Sequence, residues 1–242
     1  MGNRMPGLTV ATGLMKHPFD QANGVRTSGL VAGRHLKSGH RHDRHATAYY
    51  GVAPSVFAGL VRRWTESHPK ASLKQWTLVD MGAGMGRAVL MASSMPFLQV
   101  VGVELNPALA RIARRNAAIW RSAGRAVAPI RISCADATEF RFPVGPCVVF
   151  LFNPFGATVM RRFLTHLRRQ FAGRPIGPDI LYVNHEQEGE IERNAAWKRV
   201  FQGRIQRSRS DTKADRKILE SQPDGEYAAA SYEDCSIWHW AE

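Results

Sequence analysis

The sequence predicts an α/β fold: a Rossmann-like, doubly wound, mostly parallel seven-stranded sheet with an antiparallel last strand, preceded by a helical and basic extension. Three observations predict it. From residue 76 onward, short apolar runs alternate with amphipathic stretches, the rhythm of a parallel sheet with right-handed crossovers. Within that rhythm, Leu78-Val-Asp-Met-Gly-Ala-Gly-Met-Gly-Arg87 carries a strand-like stretch into a glycine loop. Gly102-Val-Glu-Leu-Asn106 then closes a second such stretch on a carboxylate, Glu104, 18 residues after Gly86.

Residues 1–45 are rich in glycine and basic side chains, with weak periodicity, and read as a basic, partly flexible arm that can order over substrate. His35, His40, His42 and His45 cluster there among Arg34, Lys37, Arg41 and Arg44. No i, i+4 histidine pair brackets an acid and no cysteine is near, so no metal site is read. Residues 46–242 form the domain itself, opened by a helical cap over 46–75. Val56, Leu60, Val61 and Trp64 recur at helical spacing after Pro54-Ser55, a helix start. Tyr49 and Tyr50 precede that helix. Core packing is the ordinary use of such aromatics, but their place upstream of the glycine loop makes them candidate lid residues.

The core then alternates: a strand at 76–81 and its helix at 86–95, a strand at 99–104 and its helix at 107–121. Pro107 suits the first turn of that helix. Strands follow at 130–134 and at 147–152, the latter almost wholly apolar, as a strand covered on both faces should be. A basic helix spans 157–171 and a fifth strand 180–184. Past Asn184 come a short helix at 188–196, a sixth strand at 197–205 and a last strand at 235–240. Residues 206–230, polar and carrying Arg207, Arg209, Lys213, Arg216 and Lys217, read as an exposed basic loop.

Composition bounds the rest. With 242 residues, 44% hydrophobic and 22% charged, the chain can bury one good core. No apolar run approaches the roughly 20 residues that span a bilayer, and no apolar signal core follows the N-terminus, so a cytoplasmic protein without membrane partners is expected. Cys134, Cys147 and Cys235 match neither a zinc site nor a disulfide framework and read as reduced thiols. A net charge of +13 favours a nucleic-acid or acidic-protein partner, although a generally arginine-rich composition would give the same number.

Asp80, just before the first loop glycine, selects the cofactor. A dinucleotide puts its pyrophosphate at this loop and at the helix N-terminus behind it, where a carboxylate repels it. S-adenosyl-L-methionine (SAM) presents a sulfonium and an ammonium instead, which a carboxylate attracts. Glu104 is placed to accept hydrogen bonds from ribose hydroxyls.

The order of Asp80-Met-Gly-Ala-Gly-Met-Gly86, Glu104, Asp136 and Phe152-Asn-Pro-Phe155 resembles the class I SAM-dependent methyltransferases. More narrowly, Phe19-Asp-Gln-Ala-Asn-Gly-Val-Arg-Thr-Ser-Gly29, Gly-Val-Glu-Leu and Asn-Pro-Phe-Gly are similar to a bacterial group of small methyltransferases, with a weaker likeness to the Dot1-type lysine methyltransferases. The resemblance implies that Asp80, Gly82, Ala83, Gly84 and Gly86 surround the methionine end of SAM. It implies that Glu104 holds the ribose, Leu105 lies beside the adenine, and Asp136 accepts the adenine amino group between Ala135 and Ala137. An alternative for Asp136 is a helix N-cap, with Thr138 and Glu139 following. Asn153, Pro154 and Phe155 are the candidate reaction site, with Asn153 also near the cofactor. The Asn-Pro-Pro-aromatic motif of methyltransferases that act on planar nitrogens has one proline more, and a structural turn is the alternative. His185, beside Glu186, is the candidate base, against an ordinary loop histidine.

These readings lead to a SAM-dependent methyltransferase whose acceptor is a nitrogen, with protein lysine placed ahead of nucleic acid. The alternatives are a small-molecule methyltransferase, a non-catalytic RNA-binding protein on the same fold and, last, a nicotinamide-dependent oxidoreductase, against which Asp80 argues.

Overall fold

The computed structural model describes residues 15–68, 72–174, 176–221 and 230–241. Seven strands form one sheet in the order β3-β2-β1-β4-β5-β7-β6: β1 (Thr77–Met81), β2 (Gln99–Glu104), β3 (Ile130–Cys134), β4 (Cys147–Phe152), β5 (Pro178–Val183), β6 (Trp197–Gln206) and β7 (Tyr232–Trp240). β1 to β5 pair in parallel. β7 runs antiparallel to both β5 and β6, so it alone opposes the sheet, as the sequence predicts.

Burial on both faces explains the apolar strands. Leu78, Val100, Val148, Phe150, Leu181 and Val183 point to one face, under α2 (Pro54–Ser67) and α3 (Arg87–Ser93). Val79, Met81, Val101, Val103, Val149 and Leu151 point to the other, under α5 (Ala157–Phe171). The alternation follows from the two-residue period of a strand. α5 buries Val159, Met160, Phe163, Leu164, Leu167 and Phe171, a helical stripe that leaves its arginines outward. α4 (Pro107–Ser122) starts at Asn106, whose side chain accepts from the Ala108 and Leu109 amides at 2.9 and 3.3 Å.

Two parts depart from the sequence reading. Residues 15–45 of the expected flexible arm pack against the domain, with α1 (Pro18–Asn23), Val25, Val31 and Leu36 forming part of its surface layer. The cause is polar: Asp20, 1% exposed, accepts from the Thr27 and Ser28 amides at 2.6 and 2.7 Å and from both their hydroxyls at 2.5 and 2.7 Å. Such ordering leaves no hydrophobic period. Residues 1–14 of the arm lie outside the described residues.

The expected loop at 206–230 contains a helix, α7 (Arg209–Glu220), capped by the Ser208 hydroxyl, which accepts from the Asp211 amide at 3.0 Å. Its inward face buries Asp211, Asp215 and Ile218, so a hydropathy pattern hides it. Asp211 accepts from the Ser55 amide at 2.8 Å, and Asp215 from the Tyr50 hydroxyl at 2.7 Å. Residues 222–229 lie outside the described residues. Among the described residues no helix is long and apolar enough to cross a membrane.

Candidate functional site

β1 delivers Asp80 to the carboxyl edge of the sheet, where ligands gather in open α/β folds. The loop beyond it turns through Gly82 and Gly84 at φ +80° and +54°. Both positions need glycine twice over, for the backbone angle and for space. A methyl group on Gly82 would stand 2.5 Å from Pro154 Cβ, and one on Gly84 would strike the Tyr49 ring. β2 delivers Glu104. Its two oxygens accept from the Gly84 and Asn106 amides, each at 2.7 Å, so the carboxylate ties the glycine loop to the end of β2.

A cleft opens above these strand ends. Asp80, Gly82, Ala83, Gly84, Glu104, Leu105, Ala135, Asp136, Pro154, Phe155, Tyr49 and Tyr50 all line it. Residues read from the sequence as cofactor, reaction-site and lid positions are therefore neighbours in space. Burial pushes the Asp80 carboxyl up to about 8, with the Glu104 carboxylate adding to it. Burial likewise raises Glu104, opposed by the Asn106 and Gly84 amides. Asp136 is raised by burial, but the Thr138 amide and hydroxyl bonds and the nearby His42 and His40 outweigh this and hold it low.

The cleft is covered by the chain between the arm and α2. Ala46 bridges to Phe155, the Gly156 amide donates to the His45 carbonyl at 3.0 Å, and the Thr47 hydroxyl donates to the Asn153 carbonyl. Tyr49 lies over Gly84 and donates to the Thr27 carbonyl at 2.7 Å. Arg87, 3% exposed, holds this cover down. Its guanidinium donates to the Thr27 hydroxyl at 2.7 Å, the Gly51 carbonyl at 3.0 Å, and the Thr27 carbonyl and Ser28 hydroxyl at 3.2 Å. Sequence reasoning missed Arg87 as a site residue. Its signal was the Asp20-to-Ser28 motif, whose carboxylate orders the groups that Arg87 grips.

Four placements correct or refine the sequence reading. Gly86 does not line the cleft; it precedes α3 at φ +89° and admits Ala113 of α4, whose Cβ would lie 3.2 Å from an added methyl. Asn153 lines an adjoining cavity with Asn184 and Glu186, which shares residues 46–48, Tyr50 and Phe152 with the first. It sits at φ +39° and receives the Tyr182 hydroxyl at a long 3.4 Å. His185 lines neither cavity: its Nδ1 pairs with Glu188 at 2.5 Å, which turns it away. Asp136 reaches the cleft while also accepting from the Thr138 amide at 2.8 Å, the turn-capping bond of the alternative reading. His42 of the arm closes on it, Nδ1 to Oδ2 at 3.1 Å.

No protein-family model matches the chain, and no curated protein matches it in sequence. Solved structures do share its architecture. TrmN from Thermus thermophilus is similar at 16% identity and TM-score 0.50, over 78% of this chain and 49% of that one. A candidate RNA methyltransferase from Pyrococcus horikoshii is similar at 15% identity and TM-score 0.50, over 77% and 83%. The chain shares with both a Rossmann-like sheet fold. An RNA methyltransferase from Salinibacter ruber, solved with S-adenosyl-L-homocysteine, gives 18% identity and TM-score 0.46, over 76% and 92%.

Proposed function

We propose that the chain is a SAM-dependent methyltransferase whose acceptor atom is a nitrogen. One observation carries this reading: two buried carboxylates, Asp80 and Glu104, meet at a glycine loop in one cleft. Arg87 is the single lysine or arginine among the described lining residues, and its donors already serve Thr27, Ser28 and Gly51. Such a cleft asks for a cation and disfavours a pyrophosphate. That argues against the nicotinamide reading.

When bound, SAM supplies an activated methyl group on a sulfonium. The residues fit that group: Asp80 faces the cationic methionine end, and Glu104 has lone pairs left for ribose hydroxyls beyond its two amide bonds. Leu105, Ala135 and Ala137 give the cleft small apolar walls suited to the adenine. Tyr49, Tyr50 and residues 46–48 line the side of the cleft toward the cover, where they would shield a bound donor from water. The protein's task is then alignment and desolvation, which supply much of the acceleration when the donor is already activated. The described carboxylates lining the acceptor side are Glu186 and Glu233, and Glu233 is paired with Arg207, so a protonated amine would lose its proton to Glu186 or to water.

The second cavity is the proposed acceptor pocket. Asn153, Asn184 and Glu186 offer it oxygen acceptors suited to an amine N–H, beside Arg34 and Arg207, the latter paired with Asp215 and Glu233; the acceptors favour a neutral amine such as a deprotonated lysine. A groove of Arg162, His166 and Arg169 favours nucleic acid as a second reading. Arg162 Nη1 lies 3.3 Å from His42 Nε2, so the groove adjoins the adenine end of the cleft. Incubating the protein with SAM labelled in the methyl group and a cell lysate, followed by protease or nuclease, separates them. Protease-labile label supports lysine, nuclease-labile label supports nucleic acid, and no label in any fraction contradicts methyl transfer.

A further inference from the structure

The edge of the sheet opposite the cleft carries a second polar cluster. His68 follows the last turn of α2, Asp179 is the second residue of β5, and His239 is the next-to-last residue of β7. His68 Nε2 lies 3.3 Å and His239 Nε2 3.8 Å from the same oxygen, Asp179 Oδ2. The three donor atoms all lie within 4.8 Å of one another. The imidazoles meet edge to face with centroids 3.9 Å apart.

These separations are long for hydrogen bonds, which run about 2.7–3.2 Å. The 3.3 and 3.8 Å separations from Asp179 Oδ2 lie close to the edges of a tetrahedron with metal–ligand bonds of 2.0–2.1 Å, about 3.4 Å. Asp179 is 2% exposed, and among the described residues no lysine or arginine pairs with it. A carboxylate so buried needs a counter-charge. Its orientation is fixed from behind: Oδ2 accepts from Trp64 Nε1 at 2.8 Å and Oδ1 from the Trp240 amide at 3.0 Å. Supporting bonds of this kind orient metal ligands. Trp64 and Trp76 wall the site, their rings 5.8 and 5.5 Å from that of His68. The Ser67 hydroxyl, 2.9 Å from His239 Nε2, marks a fourth side for itself or a water.

We propose that His68, Asp179 and His239 bind a divalent transition metal, zinc by their two-nitrogen, one-oxygen donor set, which pins the end of α2 to β5 and β7. The sequence gives no hint of it, since the ligands stand 111 and 60 residues apart (179 − 68 and 239 − 179).

The test uses untagged full-length protein stripped with a chelator. Zinc is titrated by calorimetry and cobalt by visible absorption, and near-ultraviolet circular dichroism checks each variant's fold. One equivalent should bind with Kd below about 1 µM, with a tetrahedral cobalt spectrum and a raised melting temperature. His239→Ala and, independently, His68→Gln should weaken binding at least about 100-fold, beyond the usual cost of a lost supporting partner, and His239→Cys should restore it. His42→Ala, in the separate His40–His42–Asp136 group, should leave binding unchanged. No stoichiometric binding by folded protein, binding that survives both ligand variants, or binding lost in His42→Ala would overturn the proposal.

Discussion

Replacing Asp80 by asparagine should flatten part of the protein's stability–pH profile. The carboxyl moves from an ordinary 3.8 when unfolded to about 8 when folded, chiefly by burial and then by the Glu104 carboxylate. A raised acid is more protonated in the folded state, so its contribution is favourable below about pH 4. Stability is then lost as pH rises toward 8 and levels off above. The slope is about 1.36 kcal/mol per pH unit, so the window from pH 5 to 8 carries up to about 4 kcal/mol. Water in the cleft screens the charge, which brings the expected loss to about 2–4 kcal/mol. Asparagine keeps the shape and cannot titrate. Urea unfolding at pH 5, 6, 7 and 8 should show Asp80→Asn gaining on the wild type by that amount across the series, groups that do not interact with Asp80 cancelling in the comparison. Saturating SAM should reverse the order at pH 8, because the cation repays the carboxylate's burial only in the wild type. Parallel pH profiles for the two proteins would refute this electrostatic picture of the cleft.

Three further outcomes follow from named contacts. Gly84→Ala places a side chain at φ +54° under the Tyr49 ring; it should cost at least about 1 kcal/mol and abolish SAM binding, read by thermal melting and calorimetry. Asp20→Ala removes the acceptor of four hydrogen bonds and the carboxylate 4.0 Å from buried Arg87. A loss of about 3–5 kcal/mol is expected, with trypsin cutting the cover before the sheet. Arg162→Glu together with Arg169→Glu should reduce the salt dependence of any RNA binding by about two phosphate contacts while leaving SAM affinity intact; an unchanged salt slope would remove the groove from consideration.

The central sheet was legible because its physics is local. β2, β3 and β4 span the residues that the sequence pattern predicts, 99–104, 130–134 and 147–152, and Pro107 and Asn106 mark the start of α4. The cleft was legible for a related reason: Asp80 and Glu104 stand in the last two residues of β1 and β2, Gly82, Gly84 and Asp136 follow β1 or β3 within three residues, and parallel strands bring such positions to one edge. What escaped was polar and long-range. Asp20 orders Thr27 and Ser28 without any apolar period, and α7 buries aspartates where an amphipathic helix would bury leucines. His185 looked available in the sequence but is held by Glu188, and His68, Asp179 and His239 meet only because α2, β5 and β7 pack together. Hydropathy registers none of these.

The most direct test is calorimetric titration of the purified protein with SAM, S-adenosylhomocysteine and NADH, repeated with Glu104→Ala. Binding of the first two, silence from NADH and loss in the variant are expected. Binding of NADH alone, or SAM binding that Glu104→Ala leaves intact, would contradict the assignment of the cleft.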